Sequence, residues 1–147
     1  MSEMYWKNDT ELFRFIRGEL YTAVIGDIMD AMGLTHQFLP PEIAPLKEEM
    51  FIVGRAMTVL EADLKGETAF DGPALQKPFG LMLEALDDIK PGELYICSGS
   101  SFNYALVGEL MLTRVKICGG TGAIVNGYSR DTFGIYKVGL PVFSRGR

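Results

Sequence analysis

Apolar and polar positions along this chain recur with two different periods, and the switches between them mark its elements. Near the start, Leu12, Phe13, Phe15 and Ile16 follow Asn8-Asp9-Thr10-Glu11, a capping-box pattern, and predict a first helix with an apolar packing side. A second helix is predicted from Thr22 through Val24, Ile25, Ile28, Met29 and Met32, with Gly33 as its C-terminal stop. Leu39-Pro40-Pro41-Glu42-Ile43-Ala44-Pro45-Leu46 holds too many prolines for a helix or a central strand and predicts an extended connection over the surface. Phe51 to Leu60 reads as a strand, with Gly54-Arg55 marking a bulge or a close backbone approach. The segment from Ala62 to Pro78, rich in Gly, Asp and Pro, predicts loops at the rim of a site. Phe79 to Leu86 then has helical spacing, ended by Asp87-Asp88 before the turn at Pro91-Gly92.

The stretch from Pro91 to Asp131 predicts the centre of the fold. Glu93 to Cys97 is a short apolar run of strand type, and Ser98-Gly99-Ser100-Ser101 is a loop of small residues. Ala105, Leu106, Leu110, Leu112, Val115 and Ile117 predict a helix from Asn103, its N-cap, to about Cys118, stopped by Gly119-Gly120. Gly122 to Val125 is a second strand that empties into Asn126-Gly127-Tyr128-Ser129-Arg130-Asp131. This is a β-α-β unit, whose right-handed crossover makes the two strands parallel. Thr132 to Val138 predicts a short helix and Leu140 to Phe143 a third parallel strand. The fold class is therefore α/β, with a parallel core preceded by helices.

Ligands of open α/β sheets collect beyond the carboxyl ends of parallel strands, and both the loop at 98–101 and Arg130-Asp131 fall there, predicting one shared crevice. Arg130 offers a planar fork for a carboxylate or phosphate, and Asp131 a hard oxygen for a divalent cation. Glu109, placed about two turns into the predicted helix, supplies a second carboxylate if its face looks inward; a solvated mid-helix acid is the plainer reading. Gly108 beside it weakens a helix interior and points to a close approach of ligand or backbone.

Gly108-Glu109, twenty intervening residues and Arg130-Asp131, with Ala105 upstream and Leu140-Pro141-Val142-Phe143-Ser144-Arg145-Gly146 downstream, resemble the RraA-like family. That family contains the divalent-metal-dependent 4-hydroxy-4-methyl-2-oxoglutarate aldolases, which also decarboxylate oxaloacetate, and the regulator of ribonuclease E activity A. The resemblance spans Leu20 to the end and implies a layered β/β/α fold of the swivelling-domain type, built as one domain with N-terminal helices at 8–33 and a core at 51–147.

It further implies a metal-dependent lyase acting on a 2-oxo acid. Mg²⁺ or Mn²⁺ would be held by Asp131 and Glu109, and the substrate carboxylate by Arg130 and backbone N–H groups around Ser100, Ser101, Phe102 and Asn103. Arg130, Glu109 and Asp131 are the implied catalytic set, in a homotrimer or dimer of trimers. The alternative is a non-catalytic binding protein of the ribonuclease-regulator type, whose members tend to lack the aspartate after the arginine. Two departures stand out. The aldolases often carry an acid three residues beyond that aspartate, where this chain has Gly134, and family members run on for several dozen residues of mainly β structure beyond the position of Arg147. An acid from a neighbouring subunit's C-terminal part completes the aldolase site, and no residue here matches it.

Composition narrows the alternatives. With 48% hydrophobic and 22% charged residues in 147, the chain suits one compact domain. A net charge of -5 argues against a nucleic-acid groove. No apolar run reaches the roughly 20 residues of a membrane span, and the start lacks a signal-peptide pattern, so the expected location is the cytoplasm. Cys97 and Cys118 sit in apolar segments and read as reduced core thiols. Asp27 and Asp30 read as a solvated helix face rather than metal ligands. His36 is the only histidine, which excludes a multi-histidine zinc site, and Ser98, Ser100 and Ser101 do not form a nucleophile elbow. Neither Ser98-Gly99-Ser100 nor Gly119-Gly120-Thr121-Gly122 has dinucleotide-binding spacing. Lys116, far along the predicted helix, disfavours a Schiff-base aldolase.

Overall fold

A computed structural model describes residues 5–63, 77 and 79–147. It divides into two compact units, Met1–Pro41 and Glu42–Arg147.

The first unit holds α1 (Asp9–Glu19) and α2 (Thr22–Ala31). The Asn8 side chain caps α1 by accepting from the Glu11 N–H at 3.0 Å, while the Glu11 carboxylate accepts from the Lys7 N–H at 2.7 Å. The stop at Gly33 is a Schellman motif: Gly33, at φ +79°, donates to the Asp30 carbonyl and Leu34 to that of Met29. Asp27, Asp30 and His36 are exposed.

The second unit contains β1 (Ala44–Pro45), β2 (Arg55–Leu60), α3 (Met82–Asp88), β3 (Glu93–Ser98), β4 (Ala105–Val107), α4 (Glu109–Ile117), β5 (Ala123–Ser129), α5 (Thr132–Val138) and β6 (Val142–Gly146). They form one sheet in the order β1-β6-β5-β3-β2, with β4 off this path against β5. The pairs β2–β3, β3–β5, β4–β5 and β5–β6 are parallel, and β1 closes one edge antiparallel to β6. The proline-rich connection thus contributes an edge strand, the one kind of strand that tolerates proline. The close approach expected at Gly54 is present: a Cβ there would stand 2.7 Å from the Gly92 carbonyl oxygen, which accepts from the Arg55 N–H.

Burial alternates along β5, with Ala123, Val125, Gly127 and Ser129 turned inward. Ala123 and Val125 share one buried cluster with Tyr95 and Cys97 of β3, Leu106 and Val107 of β4, Val142 of β6, Leu86 of α3, Leu112 and Val115 of α4 and Ile135 of α5. The Cys97 thiol is in this core and Cys118 is half-buried, both unbridged.

The predicted helix from Asn103 is corrected here. Ala105, Leu106 and Val107 form strand β4, and the helix begins at Glu109 with Gly108 as N-cap. A short apolar run does not by itself distinguish helix from strand, and here the unpaired edge of β5 decides the matter. The glycine stop at the other end is as expected: Gly119 donates to the Lys116 carbonyl and Gly120 to that of Val115. Helix α3 begins three residues later than its spacing predicts. The loop expected at the site rim lies, beyond Asp63, outside the described residues apart from Lys77. Among the described residues no helix is long and apolar enough to cross a membrane.

Leu112 is 0% exposed at the centre of the cluster, whereas Leu110 on the same helix is 83% exposed. Leu112→Ala is expected to cost about 2–5 kcal/mol in urea unfolding, and Leu110→Ala to stay within about 0.5 kcal/mol of the wild type.

Candidate functional site

Strand β5 runs between two neighbours on one edge. It pairs with β3 through Ala123–Val125 and with β4 through Tyr128 and Ser129, while β6 takes the other edge. The pairing with β4 continues one step past the strand, where the Arg130 N–H donates to the Val107 carbonyl at 2.9 Å. The residue after Val107 is the α4 N-cap and the residue after Arg130 is the α5 N-cap, so two helix starts are brought side by side.

Asp131 caps α5 in the left-handed region, at φ 57° and ψ 37°, a conformation that aspartate tolerates better than most residues. Its side chain makes no cap hydrogen bond; instead Oδ2 lies 3.6 Å from the Arg130 Nε. Both side chains are open to solvent, at 73% for Arg130 and 49% for Asp131, so this pair adds little stability and leaves both groups available. They lie against Gly108, where a Cβ would stand 2.7 Å from the Asp131 Oδ2 and 3.3 Å from the Arg130 Nε. Glu109 is the first residue of α4, not a residue two turns along it, and its carboxylate folds over Gly134 of α5. Glu109, Arg130 and Asp131 are therefore all placed where α4 and α5 begin.

This donor set fits a hard divalent cation. Among the described residues there is no cluster of three His, Cys, Asp or Glu suited to a metal; Asp131 and Glu109 are the two carboxylates at the starts of α5 and α4 that could hold one. Mg²⁺ is commonly held by one or two carboxylates, with water and substrate oxygens completing its shell, whereas zinc takes three or four protein ligands. The first N–H groups of α4, at Glu109, Leu110 and Met111, have no carbonyl within the helix to donate to and point out of its positive end. The sequence reading missed them because it placed the helix N-cap five residues too early, at Asn103 instead of Gly108.

The loop at 98–103 spends its polar groups differently. The Ser101 N–H donates to Asp63 at 2.9 Å and the Asn103 N–H to the Ser101 hydroxyl at 3.3 Å. The Phe102 ring packs on Tyr128 with the Arg145 guanidinium above it. Ser100 lines a cavity of about 320 Å³ together with Glu61, Asp63 and Tyr104, and none of Glu109, Arg130 or Asp131 is among its walls. The single crevice expected from the sequence is thus not the arrangement found: this loop helps wall a cavity of its own, apart from the start of α4.

That cavity holds Glu61, a carboxyl whose pKa is displaced from its ordinary value. Burial pushes Glu61 above the ordinary glutamate value, against the lowering effect of hydrogen bonds from the Tyr95 hydroxyl, at 3.0 Å, and from the Cys97 thiol. Burial likewise drives Tyr95 and Cys97 upward, so both stay protonated and neither thiolate nor phenolate chemistry is available there.

The model of the RraA-like family, described as aldolase/RraA, matches residues 22–147. This chain belongs to the RraA-like family. Solved structures share its fold. One described as a novel cellulase from microbes associated with the gut ecosystem is 28% identical, with a TM-score of 0.79 over 100% of this chain and 63% of its own. An uncharacterized protein from Pseudomonas syringae pv. tomato is 22% identical, with a TM-score of 0.71 over 100% and 61%. Streptomyces coelicolor RraAS2, described as an unusual member of the RNase ES inhibitor RraA family, is 21% identical, with a TM-score of 0.72 over 96% and 65%. The chain spans a little under two thirds of each of these structures. No curated protein matches the sequence.

In this RraA-like chain Gly108 is not the mid-helix glycine the sequence implied. It sits at the N-cap with extended backbone, at φ −145°, so its smallness matters for what packs on it rather than for helix geometry. Gly108→Ala is expected to displace the Asp131 carboxylate with little change in thermal stability, seen as altered Asp131 side-chain NMR shifts.

A second expected outcome concerns Glu61. Its folded-state pKa lies above its unfolded one, so the folded chain binds that proton more tightly. The resulting stability is fully present below the ordinary glutamate range and is lost as pH rises through the raised value. Glu61→Gln removes this dependence: Tm of the variant relative to wild type should climb as pH rises above the ordinary glutamate range. A difference constant with pH would contradict it.

Proposed function

We propose that this chain carries a divalent-metal-dependent lyase site for 2-oxo acids, releasing pyruvate by aldol cleavage or by decarboxylation of oxaloacetate. The observation that carries the reading is the meeting at Gly108 of an arginine fork, an aspartate whose carboxylate makes no cap bond and a helix start with free N–H groups.

A 2-oxo acid presents a carboxylate next to a ketone. The carboxylate suits the Arg130 fork together with the N–H groups of Glu109, Leu110 and Met111. Asp131 and Glu109 would hold Mg²⁺ or Mn²⁺. Bound there, the cation supplies Lewis-acid polarisation of the ketone oxygen. In oxaloacetate the bond to the distal carboxylate breaks, CO₂ leaves, and its electron pair passes to the ketone as an enolate, which takes a proton to become pyruvate. Arg130, a permanent cation, stabilises the negative charge that develops. No lysine is required. Lys116 donates to the Val138 carbonyl at 2.5 Å, which occupies its ammonium away from the α4 start.

The site also has the surroundings of a covered one. Leu110, beside Glu109, is 83% exposed, and Phe133, two residues past Asp131, is 73% exposed. Large apolar side chains flanking a charged site favour a second subunit over it, in keeping with the trimer or dimer of trimers that the family resemblance implies. The other reading, a non-catalytic binding protein of the ribonuclease-regulator type, leaves Asp131 without a task.

Purified protein should turn over oxaloacetate with Mg²⁺ and lose that activity in EDTA. Asp131→Ala should lower kcat by roughly 10²–10³-fold, and Arg130→Lys, which loses the planar fork, should mainly raise KM. Turnover indifferent to both EDTA and Asp131→Ala would overturn the lyase reading in favour of the binding protein.

A further inference from the structure

Two glycines stand at the junction of α4 and α5, and neither is needed for its backbone. Gly108 is extended and Gly134 is not among the glycines with positive φ, so any residue could adopt either conformation. Gly134 lies inside α5, where glycine costs about 1 kcal/mol relative to alanine. What the two share is a crossed relation. A Cβ on Gly108, from α4, would meet the carboxylate of Asp131, from α5. A Cβ on Gly134, from α5, would stand 2.7 Å from the Glu109 Cγ, from α4, and closer still to its carboxyl carbon and Oε2.

We propose that Gly134 is a positioning residue: the space left by its missing side chain is the seat into which Glu109 folds its carboxylate, one turn of α5 from Asp131. Gly108 does the same for Asp131 in the opposite direction. The two helix starts thereby exchange carboxylates, and the pair faces one place instead of two. This rests on the metal-site reading above and adds to it the determinant that holds the second ligand. Without the seat, Glu109 is a first-turn acid on an exposed helix start, where solvent and the helix dipole satisfy it equally well in other rotamers.

The carboxylate is the far end of a flexible side chain, so Gly134→Ala can fold: Glu109 swings out and the helix gains propensity. Direct Mn²⁺ binding, read by the EPR signal of the free ion, separates positioning from structure. Gly134→Ala and Glu109→Gln are each expected to weaken Mn²⁺ binding about 10-fold, and the double variant no further than Glu109→Gln alone, while Tm of Gly134→Ala stays at or above wild type. Mn²⁺ binding that is sensitive to Asp131→Asn but unchanged in Gly134→Ala overturns the positioning role alone, as does a double variant whose loss is the product of the single ones. No Mn²⁺ binding by the wild type, or binding indifferent to Asp131→Asn, overturns the metal site and the positioning role with it.

Discussion

The hydrogen bond from the Arg130 N–H to the Val107 carbonyl is the last rung between β4 and β5, and the geometry of the site depends on it. Each partner is followed at once by the N-cap of a helix, Gly108 for α4 and Asp131 for α5. Because β5 is paired on both edges, the end of the strand has little freedom, and neither helix can start elsewhere without breaking sheet bonds. A parallel sheet places its strand ends and helix starts on the same side, which is why an aspartate, an arginine and the first N–H groups of a helix come together there without any of them being buried.

The unit contains two polar centres of opposite character. Glu61 lines a cavity and is hydrogen-bonded by Tyr95 and Cys97, and burial raises the pKa of all three groups. Glu109, Arg130 and Asp131 stand at an open surface, their side chains exposed to solvent. The Ser98 to Asn103 loop is tied to the first of them, and two of its N–H groups, those of Ser101 and Asn103, donate to Asp63 and to the Ser101 hydroxyl.

Membership in the RraA-like family brings a choice between catalysis and regulation that the fold does not make, since structures described in both terms share the sheet. Side-chain detail bears on it more than topology does. The aspartate after the arginine is present and makes no cap bond, and the position three residues on, where the aldolases often carry an acid, is a glycine over which the Glu109 carboxylate lies.

Much of this was legible in the residues alone. The Asn8 cap, the glycine stops at Gly33 and Gly119-Gly120 and the parallel β3–β5 pair follow from local rules of capping, turn chemistry and strand patterning, which act over a few residues. What local rules could not decide was the state of Ala105-Leu106-Val107. Its apolar spacing suits a helix as well as a strand, and only the open edge of β5, some twenty residues away in sequence, selects the strand. That one selection moves the helix start from Asn103 to Glu109, turns Gly108 from a flaw in a helix into the floor under Asp131, and hands the free N–H groups from the serine loop to α4. Residue types determined which chemistry the chain carries; long-range strand pairing, which no local pattern encodes, decided where those groups meet.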